Sequence, residues 1–289
     1  MTDLDLSCLS GFEFRKMNGT GNDFIMIDNS RGELNQEILR ALTVRLCPRG
    51  TGVGADGLIA LKKAGAGQSA CGPLDFAWDF FNADGSLAEM CGNGARCAAR
   101  FAHDLKLAGK SMVFATLAGA VRAWLEEGNI VRIGLPLPSG FYYGLELKAG
   151  GKVFSLMGAN TGVPHTVTEV TDLAGADVSN WGRALRRHEH FAPAGANVNF
   201  ALLSGGQVLI RTYERGVEGE TLACGTGAVA AALTMARRHG LSSPVSVRVK
   251  SGEILKVYFT DKGSEFDQVF LEGKAAYVYS GRLDRELLL

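Results

Sequence analysis

Apolar residues along this chain recur mostly in short runs, each closed by Gly, Asn or Asp. The spacing predicts strands over 24–28, 57–61, 75–81, 121–125 and 130–135 in the first half. In the second half it predicts strands over 153–157, 166–170, 201–203, 208–214, 245–249, 254–260, 269–271 and 276–279. Strands at this spacing, bounded by turn residues, point to mostly antiparallel sheets, closed or nearly closed. Helical periodicity is confined to 34–46, 94–107, 180–188 and 227–239.

Two of those helices are unusual. The one over 227–239 (Ala228, Val229, Ala230, Ala231, Ala232, Leu233, Met235, Ala236) is apolar nearly all round, so other elements must wrap it. The one over 94–107 has a broad apolar face of Ala95, Ala98, Ala99, Phe101, Ala102 and Leu105. The pattern implies an α+β chain in which a helix is packed inside a curled sheet, twice. Pro136, Pro138 and Gly140 cluster between two strands and mark the expected junction. Domains over 1–136 and 137–274 follow.

The same two helices follow nearly repeated segments, Met90-Cys91-Gly92-Asn93-Gly94-Ala95 and Ala223-Cys224-Gly225-Thr226-Gly227-Ala228. A fainter echo pairs Thr20-Gly21-Asn22-Asp23-Phe24 with Thr161-Gly162-Val163-Pro164-His165, setting Val163 opposite Asn22. Spacing also sets Asn82, nine residues before Cys91, opposite Arg215, nine before Cys224. The chain reads as a duplication.

Composition removes several function classes. The chain has 289 residues, and its 30 basic and 30 acidic side chains cancel, so no global field draws it to nucleic acid or an acidic membrane. No apolar run approaches the roughly 20 residues a spanning helix needs, and no signal-peptide core follows Met1. A soluble cytoplasmic protein is expected. Its six cysteines do not suit a disulfide framework in a chain this long, and there is no C-x-x-C pair for zinc. No metal is expected, and Cys8, Cys47, Cys71 and Cys97 read as buried apolar filler. Gly52-Val-Gly54-Ala-Asp-Gly57 matches G-x-G-x-x-G, but it follows a helix and opens a strand, the reverse of a dinucleotide site.

Cys91 and Cys224 read differently. A thiol at a helix N-terminus feels the positive end of the helix dipole, which favours thiolate. The N–H groups of the same turn make a carboxylate site. If one cysteine is thiolate and the other thiol, one can take a proton from a carbon while the other delivers one to the opposite face, inverting a stereocentre. N–H groups aimed at the substrate carboxylate would stabilise the enediolate-like charge that develops. A thiol peptidase or acyltransferase, a dithiol redox enzyme, and a non-enzymatic protein that closes on a dicarboxylic amino acid remain as alternatives.

At these residues the chain resembles the diaminopimelate epimerase family, cofactor-independent enzymes that interconvert LL- and meso-diaminopimelate on the route to lysine. The resemblance is carried by Met17-Asn-Gly-Thr-Gly-Asn-Asp-Phe24, Phe81-Asn-Ala-Asp-Gly-Ser86, Met90-Cys-Gly-Asn-Gly-Ala-Arg-Cys97, Gly162-Val-Pro-His165, Ala196-Asn-Val-Asn199, and Tyr213-Glu-Arg-Gly-Val-Glu-Gly-Glu-Thr-Leu-Ala-Cys-Gly-Thr-Gly227. It spans Phe12 to the C-terminus and leaves Met1–Gly11 as an extra tail. It implies two pseudo-symmetric domains, each a mostly antiparallel barrel-like sheet around a central helix, with the strand near 275–289 returning to the first. The active site would lie between them, in a PLP-independent isomerase needing no cofactor and forming a homodimer.

The resemblance also assigns roles. Cys91 and Cys224 would be base and acid, exchanging roles with direction. Gly92, Asn93, Gly225 and Thr226 would hold the reacting carboxylate through backbone N–H groups. Asn22, Asn82, Asn197, Glu214 and Arg215 would read the rest of the substrate, with Arg215 on the distal carboxylate. His165 and Glu214 would tune protonation near the thiols. Two departures stand out: Val163 where relatives often carry Asn, and Gly57 where many carry Gln. They leave open a related racemase acting on histidine, proline or hydroxyproline.

Overall fold

The structure, a computed structural model, describes residues 4–65 and 68–289, so the first three residues of the expected tail lie outside the described residues. The chain divides into two compact units: Met1–Ile133 with Lys274–Leu289, and Gly134–Gly273.

Unit 1 contains, in chain order, β1 (Glu13–Gly19), β2 (Asn22–Asp28), α1 (Gln36–Leu46), β3 (Gly57–Lys63), the two-residue strands β4 (Gln68–Ser69) and β5 (Gly72–Pro73), β6 (Phe76–Asn82), α2 (Gly92–Asp104), β7 (Ser111–Thr116), β8 (Gly119–Leu125) and β9 (Ile130–Gly134). Unit 2 contains β10 (Ser139–Ala149), β11 (Lys152–Asn160), β12 (Pro164–Glu169), α3 (Val178–Arg186), β13 (Asn197–Ser204), β14 (Gln207–Glu214), β15 (Gly219–Thr221), α4 (Gly225–His239), β16 (Val245–Arg248), β17 (Ile254–Asp261) and β18 (Phe266–Lys274). The chain then returns to unit 1 with β19 (Ala276–Arg282) and the short α5 (Arg285–Leu288).

Strand pairing exposes the duplication. In unit 1 the row runs β19-β1-β2-β3-β6-β7-β8-β9, with only β2/β3 and β6/β7 parallel. In unit 2 it runs β10-β11-β12-β13-β14-β16-β17-β18, with only β12/β13 and β14/β16 parallel. The sequence of senses is the same in both rows. A parallel pair cannot be joined by a hairpin, and each of the four parallel connections carries one helix: α1, α2, α3 and α4. The sheets are thus mostly antiparallel, with parallel pairs wherever a helix crosses over.

Each central helix explains the curl of its sheet. α4 packs against β11, β12, β13, β14, β16 and β17, a span that a flat sheet could not bring onto one helix. Its residues from Gly227 to Ala236 are all buried, as the all-round apolar pattern requires. α2 packs against β1, β2, β3 and β8, strands from opposite ends of its row.

Residues 4–11, within the extra tail, pack on unit 1: Leu6 is buried in a cluster with Phe14, Leu39, Leu283 and Leu288, and Gly11 N–H donates to Leu283 O at 2.8 Å. Two expectations need correction. Only Cys47 and Cys97 are buried filler, and burial pushes both thiols up to about 12; Cys8 is exposed and Cys71 half-buried. Gly140 lies inside β10 with φ +62°, a left-handed position suited to glycine, not in a linker. Among the described residues no helix is long and apolar enough to cross a membrane.

Candidate active site

Both cysteines of the repeated segments occupy N-cap positions. Cys91 caps α2 with extended backbone (φ −143°, ψ 123°), and Cys224 caps α4 likewise (φ −125°, ψ 111°). The helices begin at Gly92 and Gly225, two residues earlier than the sequence suggested. Glycine's poor helix propensity made Gly-x-Gly read as a turn, but first-turn residues need not donate along the helix. The first helical bonds are Ala95 N–H to Cys91 O (2.7 Å) and Ala228 N–H to Cys224 O (2.9 Å). The N–H groups of Gly92, Asn93, Gly225 and Thr226 therefore precede the helical ladder, and neither cysteine side chain caps them. Such an end binds anions.

In unit 1 a polar chain runs beneath Cys91. Fully buried Arg96, one turn into α2, donates to Thr20 Oγ1 and Asn93 Oδ1, both at 2.7 Å, and to Gly92 O at 3.2 Å. Asn93 Nδ2 donates to Asn22 Oδ1 (2.6 Å), and Asn22 Nδ2 donates to Asp56 Oδ2 (3.0 Å). Arg49 ties Asp56 to Asp23, and the neighbouring Asn18, Arg49 and Lys16 outweigh burial to hold the Asp23 carboxyl below its usual range. Asn22 is thus oriented from both ends of its carboxamide. Asn82, exposed at the end of β6, donates to Ser86 Oγ (3.0 Å) within its own turn.

In unit 2 the arrangement centres on His165. Its Nε2 lies 2.9 Å from Thr226 Oγ1, which lies 3.5 Å from Cys224 Sγ. Thr161 Oγ1 donates to Thr226 O (3.1 Å), fastening the first turn of α4. Asn197 accepts the Arg215 backbone N–H at 2.7 Å and donates to Pro164 O at 3.3 Å, so it fixes where Arg215 leaves β14. Glu214 is the last residue of β14, beside Arg215.

Burial, reinforced by the Arg215 charge, pushes His165 down to about 3, so the ring is neutral at physiological pH. The unfolded chain binds a proton here below its ordinary pKa of 6.5, whereas the folded chain does not until about 3. This contribution is complete above pH 6.5 and is lost as pH falls, by up to about 1.4 kcal/mol per pH unit. Replacing His165 with Phe, the residue that the matching strand of unit 1 carries as Phe24, should flatten that part of the acid limb. Urea midpoints at pH 7 and pH 5 measure the slope; parallel shifts in the two proteins would contradict it.

The amino-acid sequence matches the profile of the diaminopimelate epimerase family over residues 14–136 and 157–278. The chain belongs to this family. It is 45% identical to the diaminopimelate epimerase of Hydrogenobaculum sp. (strain Y04AAS1), covering 94% of this chain and 98% of that protein. To the Aquifex aeolicus diaminopimelate epimerase it is 43% identical, covering 96% and 99%. Among solved structures, a Bacillus anthracis protein of the PhzF family superposes with TM-score 0.73 at 15% identity, over 94% of this chain and 98% of that one. A hydroxyproline epimerase from Agrobacterium vitis gives 0.64 at 14%, over 94% and 92%. At such identities the likeness shows a shared fold.

Strand register corrects one pairing inferred from spacing. Leu58 stands opposite Phe81 across β3/β6, and Val198 stands opposite Tyr213 across β13/β14, so the next residues along β6 and β14 are Asn82 and Glu214. The duplication therefore sets Asn82 against Glu214, not Arg215. It also sets Gly57 against Asn197, since these are the parallel partners of Phe24 and His165. Gly57 has no room for a side chain: an added Cβ would lie 2.5 Å from Phe81 O and 2.9 Å from the Phe80 ring. A glutamine there would need β6 to shift. Among the described residues no group of three or more His, Cys, Asp or Glu could hold a metal ion.

Sequence reading missed Arg96, Thr161, Asn199 and Thr212. Arg96, Thr161 and Asn199 lie in the repeated or family-like segments without an evident task there, and burial inside the sheet or beneath a helix end marks out all four.

Proposed function

We infer that the protein is a PLP-independent isomerase that interconverts LL- and meso-2,6-diaminopimelate by two-base transfer of the α-proton, serving lysine biosynthesis. The observation that carries this is the pair of N-cap cysteines, each with a fan of N–H groups ahead of the helical ladder. One thiolate takes the α-proton: the C–H bond breaks, an S–H bond forms, and the electron pair passes into the carboxylate. The other thiol then protonates the opposite face of the carbon. No electron is gained or lost overall, and the two sulfurs exchange protonation states with each turnover.

The N–H groups of Gly92, Asn93, Gly225 and Thr226 would hold the reacting carboxylate as its charge grows. Asn22, Asn82, Asn197, Glu214 and Arg215 would read the amino and distal carboxylate groups. His165, through Thr226, and Glu214 would govern protonation near Cys224. The working form would be cytoplasmic, and a homodimer as the family resemblance implies.

Arg215 should set affinity rather than chemistry. An Arg pairs a distal carboxylate bidentately, and a hydrogen bond to a charged group is worth roughly 1.5–3 kcal/mol. Arg215→Ala should raise KM for diaminopimelate roughly 10- to 100-fold with a smaller change in kcat. A kcat loss with unchanged KM would place Arg215 in the chemistry instead. The activity itself is tested by incubation in deuterated, reducing buffer with LL-diaminopimelate, L-proline and L-histidine in parallel. Deuterium should enter the α-position of diaminopimelate; label entering only proline or histidine would overturn the substrate assignment.

A further inference from the structure

The two units share a strand pattern but not what lies behind their thiols. In unit 2 His165 on β12, Asn199 on β13 and Thr212 on β14 form a fully buried polar row. Asn199 Nδ2 lies 3.2 Å from His165 Nδ1 and donates to Thr166 O at 3.0 Å, while Thr212 Oγ1 donates to Asn199 Oδ1 at 2.9 Å. The register places Phe24, Ile59 and Phe80 at the matching positions of unit 1. Those three are buried hydrocarbon, with Phe24 and Phe80 edge to face at 5.9 Å. The fold accepts an apolar row here. The polar row in unit 2 therefore answers to something other than folding, since buried polar groups cost stability unless every partner is supplied.

The hydrogen-bond directions are forced. Thr166 O can only accept, so the Asn199 nitrogen faces it and the oxygen faces Thr212. That nitrogen can only donate, so His165 Nδ1 must be the bare, accepting atom. The neutral ring then carries its proton on Nε2 and gives it to Thr226 Oγ1. The 3.5 Å approach of Asn197 Nδ2 to the same Nε2 is a contact of two donors, each with an acceptor elsewhere. Thr226 Oγ1 keeps one lone pair and its own proton for Cys224 Sγ. Gly227 belongs to the same device: a Cβ there would lie 2.4 Å from Asn199 Oδ1, so glycine lets the carboxamide sit under α4.

We propose that Asn199 is a positioning residue that locks His165 as the neutral Nε2–H tautomer, so that the Thr226 hydroxyl can accept from a Cys224 thiol and donate to a Cys224 thiolate. Resting on the two-base reading above, this gives Cys224 a partner suited to both of the states through which it must cycle. Were the proton on Nδ1, Thr226 would give its proton to the ring and have only lone pairs for the sulfur. A thiolate would then lose the Thr226 donor.

The test is nitrogen-15 NMR of the full-length protein labelled on its histidines, without substrate, near pH 7.5. One of the five histidines should show the Nε2–H tautomer with a slowly exchanging ring proton and vanish in His165→Phe. A His165 signal of the Nδ1–H tautomer or of imidazolium overturns the proposal, whatever the protein's activity. Asn199→Leu, which copies the apolar row of unit 1, should give a mixed or reversed tautomer and lower kcat roughly 10- to 100-fold, the value of one hydrogen bond to a charged group. Thr226→Val should lower kcat similarly with the tautomer unchanged, and Thr226→Ser should restore most of it. An unchanged tautomer in Asn199→Leu, or an unchanged kcat in Thr226→Val, would also overturn it. Absence of epimerase activity in the wild type with the tautomer in place would instead sink the functional reading alone.

Discussion

Cys91→Ala and Cys224→Ala are each expected to abolish inversion, lowering kcat by roughly 10²- to 10⁴-fold or more, the range for a lost general acid or base. Both proteins should stay folded, because each cysteine caps its helix without a side-chain capping bond and alanine occupies less space. The residual chemistry is more diagnostic than the loss. A protein keeping only Cys224 can still take the α-proton from the stereoisomer whose C–H bond faces that sulfur. It can return a proton only to the same face, and that proton becomes a solvent proton once the S–H exchanges. Cys91→Ala should therefore exchange the α-hydrogen of one stereoisomer without inverting it, and Cys224→Ala that of the other. Mass spectrometry of each recovered stereoisomer from deuterated buffer reads this. Full activity in either variant, or the same stereoisomer exchanging in both, would contradict separate roles for the two thiols.

Arg96→Met is expected to destabilise the protein by about 3 kcal/mol or more, the scale for removing a buried charged hydrogen-bonding group and stranding its partners. Thr20 Oγ1, Asn93 Oδ1 and Gly92 O would each lose a donor in a dry setting. The matching position of α4 is Val229, which is fully buried, so the helix itself does not need a cation there. What needs it is the Asn93–Asn22–Asp56 chain, which holds Asn22 in place at the start of β2. The substitution should thus also raise KM, and Arg96→Lys should rescue little, because an ammonium cannot reproduce the planar fork. Denaturant midpoints give the stability change. A shift below about 0.5 kcal/mol, the level of a neutral surface change, would contradict this assignment.

What sequence revealed and what it hid follow from the physics of each element. α4 was legible because a helix apolar all round must be wrapped, and α2 because its apolar face is broad. β1 escaped detection because Lys16 sits on its buried face, its stem in the core and its Nζ on Gly54 O and Asp23. β10 escaped because Gly140 and Gly144, both at positive φ, break its alternation. The catalytic candidates Cys91 and Cys224 announced themselves through a local motif. Thr226 came with the same motif and His165 with the family resemblance, but Asn199 and Thr212 did not, since they lie on two further strands, β13 and β14. Asn199 in particular reads locally as a turn residue, and only register across β12/β13 brings it under His165.

The most direct test of two-base inversion is the early distribution of deuterium when LL-diaminopimelate is converted in deuterated, reducing buffer. Two thiols on opposite faces predict that meso product carries α-deuterium from the first turnovers while unreacted LL substrate keeps its protium. Deuterium appearing equally in substrate and product, or no exchange at all, would contradict it.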